Sequence, residues 1–168
     1  MATAHHCCGM LRRPMTIRPA RPDDADALRA IDEATWAPDI SPGSGAAGVP
    51  PDRLGDTLVA EVGGAVAGYV LLGPPTPLAS NAHVLQIQGL AVDPARRRGG
   101  VGRALVEAAA TEAAARGARR LTLRVLAPNA GARRLYAACG FVEEGVLREE
   151  FLLAGRYVDD VLMARRLS

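Results

Sequence analysis

The stretch from Leu90 to Leu105, which reads LAVDPARRRGGVGRAL, constrains the fold of this chain more than any other. An apolar strand end is followed by an Asp-Pro turn, a basic glycine-rich loop and an alanine- and leucine-rich helical pattern. The first N–H groups of a helix lack intrahelical partners, and the helix dipole is positive there. Glycines let a ligand approach the backbone closely. The stretch therefore predicts a strand–loop–helix unit that binds an anion.

Two familiar anion-binding loops do not fit this stretch. A P-loop requires a Gly-Lys-Ser/Thr sequence, and the chain contains no lysine. A dinucleotide fingerprint requires Gly-x-Gly-x-x-Gly/Ala, but counting from Gly100 the third place is occupied by Leu105. The anion is therefore neither a P-loop nucleotide nor a dinucleotide bound in the Rossmann manner.

The spacing that remains, Val92-x-Pro94-x-x-Arg97-x-x-Gly100-x-Gly102, resembles the acetyl-CoA-binding motif of the GNAT superfamily of N-acetyltransferases. The core of that motif is Arg/Gln-x-x-Gly-x-Gly/Ala. The resemblance implies that the basic loop holds the pyrophosphate of acetyl-CoA, and that the strand end holds the acetyl carbonyl and the pantetheine arm. The cofactor-binding residues predicted here are Leu90, Ala91, Val92, Arg97, Arg98, Gly99, Gly100, Val101, Gly102 and Arg103.

A second segment, from Asn129 to Phe141, resembles the second GNAT signature, Asn-x-x-Ala-x-x-Leu-Tyr-x-x-x-Gly-Phe. Asn129 is a good N-cap, and helical spacing places Arg133 and Tyr136 near the same face. The resemblance implies that Asn129 contacts the cofactor arm and that Tyr136 is catalytic, protonating the leaving thiolate. A phenol titrates near 10 and is protonated at neutral pH. We add Arg133 to the predicted cofactor-binding residues; the alternative is that Asn129 only caps and Tyr136 only packs.

The order of predicted elements also matches that family. Strand, helix, loop, three strands, helix, strand, helix and two final strands follow one another between residues 15 and 167. The resemblance implies an α/β GNAT fold, with a mixed central sheet of about seven strands flanked by about four helices. We expect residues 1–14 to be a flexible tail and residues 15–168 a single domain, since 168 residues suit one domain.

Composition excludes several classes of function. The net charge is only +2, so bulk charge does not indicate a nucleic-acid partner. The sequence contains no run of about 18 apolar residues, so it predicts no membrane-spanning helix. Three cysteines do not make a disulfide framework, and we expect a cytoplasmic protein. The adjacent residues His5, His6, Cys7 and Cys8 cannot close a tetrahedral site, so no metal is predicted. A homodimer is left open.

The residue that deprotonates the acceptor amine is not evident from the sequence. An amine like that of lysine titrates near 10.4, so a base or a water relay is expected. The inward positions of the strand before the loop carry Gln86 and Gln88, which cannot act as bases, and His83 has the opposite parity. Glu33 and Asp159 are further candidates. An α-amine, which titrates near 8, would need a weaker base.

The acceptor itself is predicted to be the primary amine of a small molecule or an amino acid. The segment Gly155-Arg-Tyr157-Val-Asp159 with Met163 resembles the ending of GNAT members that act on amino acids, small amines and ribosomal-protein N-termini. A peptide or protein N-terminal acetyltransferase is therefore an alternative. Another is a non-catalytic acyl-CoA-binding regulatory module, and a third is a nucleic-acid binder that uses the arginine cluster.

Overall fold

The computed structural model describes residues 14–38, 41 and 48–167, and it contains three α-helices and seven strands over those residues. In chain order the elements are β1 (Met15–Pro19), α1 (Ala25–Thr35), β2 (Thr57–Val62), β3 (Ala65–Gly73), β4 (Val84–Val92), α2 (Val101–Ala115), β5 (Arg120–Leu126), α3 (Ala130–Ala138), β6 (Val142–Leu153) and β7 (Arg156–Arg166). Short 3-10 turns precede α1, β2, β4 and α2.

All seven strands form one sheet in the order β1-β2-β3-β4-β5-β7-β6. β4 and β5 run parallel and the other neighbouring strands run antiparallel. Parallel neighbours require a crossover, and α2 supplies it between β4 and β5. The predicted mixed seven-strand sheet with flanking helices is confirmed.

The helices cover the two faces of the sheet. α2 and α3 pack on one face, where Val70, Leu72 and Ile87 join them in the main core. α1 packs on the opposite face, where Leu28 and Ile31 meet Val59 and Tyr69 in a smaller cluster. The alternation of neighbouring strand residues between the two clusters follows from the period of two in a strand.

Pro22 followed by Asp23 and Asp24 is typical of a first helical turn and predicts a helix from Pro22 to about Glu33, but the first helix begins later. Pro22–Asp24 form a 3-10 turn, and α1 starts at Ala25. Asp24 accepts a hydrogen bond from the Arg21 N–H at 2.7 Å and two from the Arg18 guanidinium, at 2.8 and 2.9 Å. These bonds hold the start of α1 against β1.

The final hairpin is longer than the sequence predicts. The apolar pattern predicts a strand ending near Leu147, yet β6 continues to Leu153 and pairs with β7 again from Phe151. The charged residues between them do not end the strand, because they find partners across the sheet. Glu150 pairs with Arg124 of β5, and Arg148 pairs with Asp159 of β7.

Part of what the sequence predicts concerns residues that the structure does not describe. The tail with His5, His6, Cys7 and Cys8, and most of the proline- and glycine-rich loop after α1, lie outside them. Within the described ranges, no group of three or more His, Cys, Asp or Glu residues could hold a metal ion. The helices of those ranges are all too short or too polar to span a membrane.

Candidate active site

The two parallel strands separate halfway along their length and open a cleft. β4 pairs with β5 only from Val84 to Ile87, whereas β5 pairs with β7 on its other edge from Arg120 to Leu126. The remainder of β4, up to Val92, therefore has backbone groups on the β5 side that no strand satisfies. A cleft of about 460 Å³ occupies the opening, and Gly89 and Leu90 lie in its wall.

A bulge in β4 shapes the wall of this cleft. Leu71 of β3 pairs with Gly89 and Leu72 pairs with Ile87, so Gln88 is the extra residue. Its side chain accepts a hydrogen bond from Arg53 Nη2 at 3.0 Å and donates one to the Pro74 carbonyl at 3.0 Å. Gln86 and Gln88 both line the cleft, as predicted from their parity, and neither can remove a proton.

The loop after β4 presents unpaired N–H groups to solvent. Asp93 opens it by accepting a hydrogen bond from the Ala95 N–H at 2.9 Å. Arg98 and Gly100 have φ angles of 64° and 80°, and Gly100 is the N-cap of α2. Within the described part of the chain, the N–H groups of Arg98, Gly99 and Gly100 find no acceptor. Consecutive N–H groups in such a turn, next to a helix start, form a concave anion site.

Side chains around the loop add positive charge. The guanidinium groups of Arg97, Arg98 and Arg103 are exposed and form no ion pair with any described residue. Arg96 differs, since it donates to the Val62 carbonyl at 3.0 Å and holds the loop against β2. Three free guanidinium groups beside free N–H groups suit a pyrophosphate.

The start of α2 is packed tightly against its neighbours. Val101 is buried, and a Cβ on Gly102 would lie 3.2 Å from Leu135 of α3 and 3.7 Å from Val92. The absence of a side chain at Gly102 therefore lets α2 approach both α3 and β4. This contact fixes the loop relative to the cleft.

α3 delivers two predicted residues to the cleft and holds a third away from it. The Asn129 side chain accepts a hydrogen bond from the Ala132 N–H at 3.1 Å, so it caps α3, and it also lines the cleft. Arg133 instead pairs with Glu143 of β6 at 2.5 Å and donates to the Ala127 carbonyl. Sharing a helix face with Asn129 therefore does not bring Arg133 to the cleft.

Tyr136 reaches the cleft from the α3 side. It is 7% exposed, and its ring packs on Phe141 with the ring centroids 5.8 Å apart. Burial raises the pKa of the phenol well above its usual value, so the hydroxyl is protonated at neutral pH. That hydroxyl has no hydrogen-bond partner among the described residues. It is positioned to donate a hydrogen bond to a ligand in the cleft.

The far wall of the cleft contains charged residues that the sequence did not assign to the site. Arg124 of β5 donates to Asp160 of β7 at 2.5 Å and to Glu150 of β6 at 2.8 Å. Its guanidinium also lies 5.8 Å from the ring centre of Phe151. Asp160 is 2% exposed, although acidic pairs at strand ends are usually solvated. The sequence feature that could have indicated this wall is the alternation of polar residues along β5, at Arg120, Thr122 and Arg124.

The other predicted bases lie outside the cleft. Glu33 is exposed on α1. Asp159 accepts a hydrogen bond from the Glu149 N–H at 2.8 Å and pairs with Arg148 at 2.6 Å, and these two contacts lower its pKa. His83 lies beyond the opposite end of β4, in a separate hollow of about 450 Å³ lined mainly by arginines. None of the three is placed to deprotonate an amine in the cleft.

Comparison with known proteins is consistent with this geometry. A sequence profile described as "Acetyltransferase (GNAT) family" matches residues 26–141. The chain is 30% identical to the phosphinothricin N-acetyltransferase of Alcaligenes faecalis, over 95% of this chain and 86% of that protein. The structure of yncA from Salmonella typhimurium with its cofactor acetyl-CoA aligns with a TM-score of 0.81 and 25% identity, covering 92% and 95% of the two chains.

A third relative is also an N-acetyltransferase. The ribosomal-protein-alanine N-acetyltransferase of Brucella melitensis aligns with a TM-score of 0.79 and 30% identity, covering 90% of this chain and 99% of that one. The names of the Alcaligenes and Brucella proteins state different acceptors, and all three proteins are similar to this chain over nearly its whole length.

Proposed function

This chain belongs to the acetyltransferase (GNAT) family and is an acetyl-CoA-dependent N-acetyltransferase, and we propose that its acceptor is the primary amine of a small molecule or an amino acid. The observation that carries the proposal is the cleft between β4 and β5, which Tyr136 enters from the α3 face of the sheet. A cleft of about 460 Å³ is of the size that small-molecule sites have.

We propose that the donor is held mainly by backbone groups. The free N–H groups of Arg98, Gly99 and Gly100, with those of Val101, Gly102 and Arg103 at the helix start, would bind the pyrophosphate. Arg97, Arg98 and Arg103 would add charge-assisted hydrogen bonds. The unpaired edge of β4 from Leu90 through Ala91 to Val92 would hold the pantetheine arm and the acetyl carbonyl.

α3 would support the other side of the donor. Asn129 lines the cleft next to Tyr136 and keeps a free amide group for the cofactor arm, since its Oδ1 is already used by the cap. Arg133 could join only by exchanging Glu143 for the cofactor, at the exposed end of α3. We therefore rank it below the other predicted cofactor-binding residues.

Tyr136 is proposed as the general acid of the reaction. Acetyl-CoA supplies an activated acetyl group as a thioester, and the amine nitrogen attacks its carbonyl carbon. The Tyr136 hydroxyl donates its proton, or a strong hydrogen bond, to the sulfur as the carbon–sulfur bond breaks. Because burial keeps the phenol protonated, this proton is present at neutral pH.

The absence of Glu33, Asp159 and His83 from the cleft bears on the acceptor. Asp160 is the carboxylate that lines the cleft among the described residues, and Arg124 holds it. An amine of low proton affinity has the least need of a base that removes its proton. About a tenth of an α-amine is neutral at pH 7, against roughly a thousandth of a lysine-type amine. This favours an acceptor whose amine is partly neutral or loses its proton to solvent.

A small acceptor is also supported by similarity over nearly the whole chain to an enzyme named for phosphinothricin. The second candidate acceptor is a peptide N-terminus, which the likeness to a ribosomal-protein-alanine N-acetyltransferase favours. We further propose that the protein works in the cytoplasm, since its cysteine pattern does not suit disulfides and Cys139 is a buried free thiol.

The deciding experiment measures CoA release from acetyl-CoA with two sets of acceptors. One set contains amino acids, polyamines and amine antibiotics, and the other contains short peptides that begin with alanine. We expect turnover with members of the first set. Turnover with peptides alone would replace the proposal by the N-terminal acetyltransferase reading.

A further inference from the structure

A carboxylate that the proposed reaction does not use lies on the sheet-facing side of α1. The Tyr69 hydroxyl of β3 donates a hydrogen bond to Asp32 Oδ1 at 2.5 Å. Tyr69 is 7% exposed and Asp32 is half-buried. Burial, followed by the nearby carboxylate, raises the pKa of Tyr69, so the phenol stays neutral and serves as a fixed donor. The hydrogen bond therefore orients Asp32 without neutralising its charge.

Asp32 differs from three other aspartates that are at least half-buried in that it has no cationic partner among the described residues. Asp24, Asp159 and Asp160 each pair with an arginine at 2.5–2.8 Å. Asp32 forms no ion pair with any residue that the structure describes, and Tyr69 supplies no positive charge. A carboxylate partly withdrawn from water is stabilised by a cation. This one is suited to a cation that comes from outside the chain.

The pair lies at the margin of the cleft. A Cβ placed on Gly89 would lie 3.6 Å from Tyr69 Cε2 and 3.9 Å from its hydroxyl oxygen, and Gly89 lines the cleft. Glycine at this position leaves the space between the ring and the cleft free of a side chain. Tyr136 enters the cleft from the α3 face, so Asp32 and Tyr136 lie on opposite sides of β4.

We propose that Asp32, oriented by Tyr69, binds a second cationic group of the acceptor, so that the preferred acceptors are diamines or basic amino acids. One amine would attack the thioester beside Tyr136 while the other, still protonated, would lie against the free oxygen of Asp32. This inference rests on the proposed function and narrows its substrate class. It assigns to Asp32 a role in acceptor specificity and none in the transfer of the acetyl group.

The test compares acceptors of matched length with one and two charges. Wild-type kcat/KM is measured for putrescine against butylamine and for lysine against norleucine. An ion pair in a partly desolvated site is worth about tenfold or more in kcat/KM. We expect that preference in the wild type and its loss in Asp32→Asn, with the Kd of acetyl-CoA unchanged.

Two further variants guard against a structural explanation. Asp26→Asn removes an exposed carboxylate from the same helix and should keep the preference. Tyr69→Phe removes the orienting hydrogen bond and should reduce the preference without changing the Kd of acetyl-CoA. The thermal midpoint of each variant reports folding, and a misfolded Asp32→Asn does not block the test, because the wild-type ratio alone can overturn the idea.

The outcomes separate this inference from the proposed function. If the wild type acetylates no small amine, the proposed function fails. If it acetylates monoamines and diamines equally well, or if Asp32→Asn retains the preference, the role of Asp32 is overturned while the proposed function stands.

Discussion

We propose that the cleft has a donor side, which binds acetyl-CoA, and an acceptor side, which binds the amine, and these two sides are built in different ways. The donor side consists of one continuous stretch, Leu90–Arg103, together with the start of α3, and its polar groups are largely backbone N–H groups. The acceptor side consists of side chains from α1, β3, β4, β5 and β7, namely Asp32, Tyr69, Gln88, Arg124 and Asp160. A backbone-built site depends on local sequence, whereas a side-chain site depends on how distant strands are aligned.

The two sides should also differ in whether a substitution changes binding alone or the stability of the fold as well. Arg97, Arg98 and Arg103 are exposed and form no ion pair with any described residue, so replacing them should alter donor affinity and little else. Tyr69 of β3 bonds to Asp32 of α1, and Arg124 of β5 bonds to Asp160 of β7, so replacing these residues should alter the folded state as well as specificity. The predictions below test that division.

The largest effect is expected where the two sides meet, at Tyr136. Tyr136→Phe removes the hydroxyl and keeps the packing on Phe141, so we expect kcat to fall roughly a hundredfold or more, as loss of a general acid does. The Kd for acetyl-CoA should be unchanged, and both can be measured from CoA release and calorimetry. An unaltered kcat would remove Tyr136 from the chemistry.

The next effect concerns the stability of the acceptor side. Arg124→Ala leaves Asp160 as a carboxylate 2% exposed without its cation, and we expect a loss of about 2 kcal/mol in the free energy of unfolding. The Arg124 side chain is 42% exposed, so water offsets part of the full cost of an unpaired buried charge. Urea unfolding measures the loss.

The matched control for that variant removes both charges. Arg124→Ala combined with Asp160→Asn should be more stable than Arg124→Ala alone, because the uncompensated carboxylate is gone. If Arg124→Ala unfolds at the same urea concentration as the wild type, the ion pair does not hold the acceptor side together.

The fold could be predicted from the sequence because its signals are local. Strand and helix periodicity, the glycine loop and the N-cap at Asn129 each lie within one short segment, and the seven-strand sheet is confirmed. The limits of elements were less predictable. Charged residues between Leu147 and Phe151 predict the end of a strand, yet cross-strand partners that no local pattern reveals keep β6 extended.

The acceptor side could not be predicted from the sequence, because it too depends on partners that no local pattern reveals. The sequence analysis names Glu33 as a candidate base and does not name its neighbour Asp32, because only tertiary packing shows which of the two meets Tyr69. Asp160 belongs to an acidic pair, which the sequence alone would place in solvent, and its burial depends on the alignment of β5 with β7. The bulge at Gln88 is likewise a property of pairing with β3.

A smaller effect is expected on the donor side from Arg97→Ala. Arg97 contributes a side chain to a site that we propose is held mainly by N–H groups, so KM for acetyl-CoA should rise about tenfold with kcat unchanged. The free energy of unfolding should stay within about 0.5 kcal/mol of the wild type. Arg119→Ala, which removes an exposed arginine at the opposite end of the sheet, is the control and should leave KM unchanged. A fall in unfolding free energy comparable to that of Arg124→Ala would break the division between the two sides.

The smallest effect is a dependence of the unfolding free energy on pH that arises from Asp24, at the start of α1. Hydrogen bonds from Arg18 and from the Arg21 N–H hold the pKa of Asp24 below its usual value, and this contact fixes the start of α1. Because the folded pKa is depressed, the stabilisation is complete above the unfolded pKa of about 3.9 and is lost as the pH falls towards the folded pKa. We expect wild-type unfolding free energy to fall by about 1 kcal/mol more than that of Asp24→Asn between about pH 6 and about pH 3. Asp23→Asn, which removes the exposed neighbouring carboxylate, should follow the wild-type curve. Parallel curves for the wild type and Asp24→Asn would show that α1, and with it Asp32, is held by packing on the sheet rather than by this ion pair.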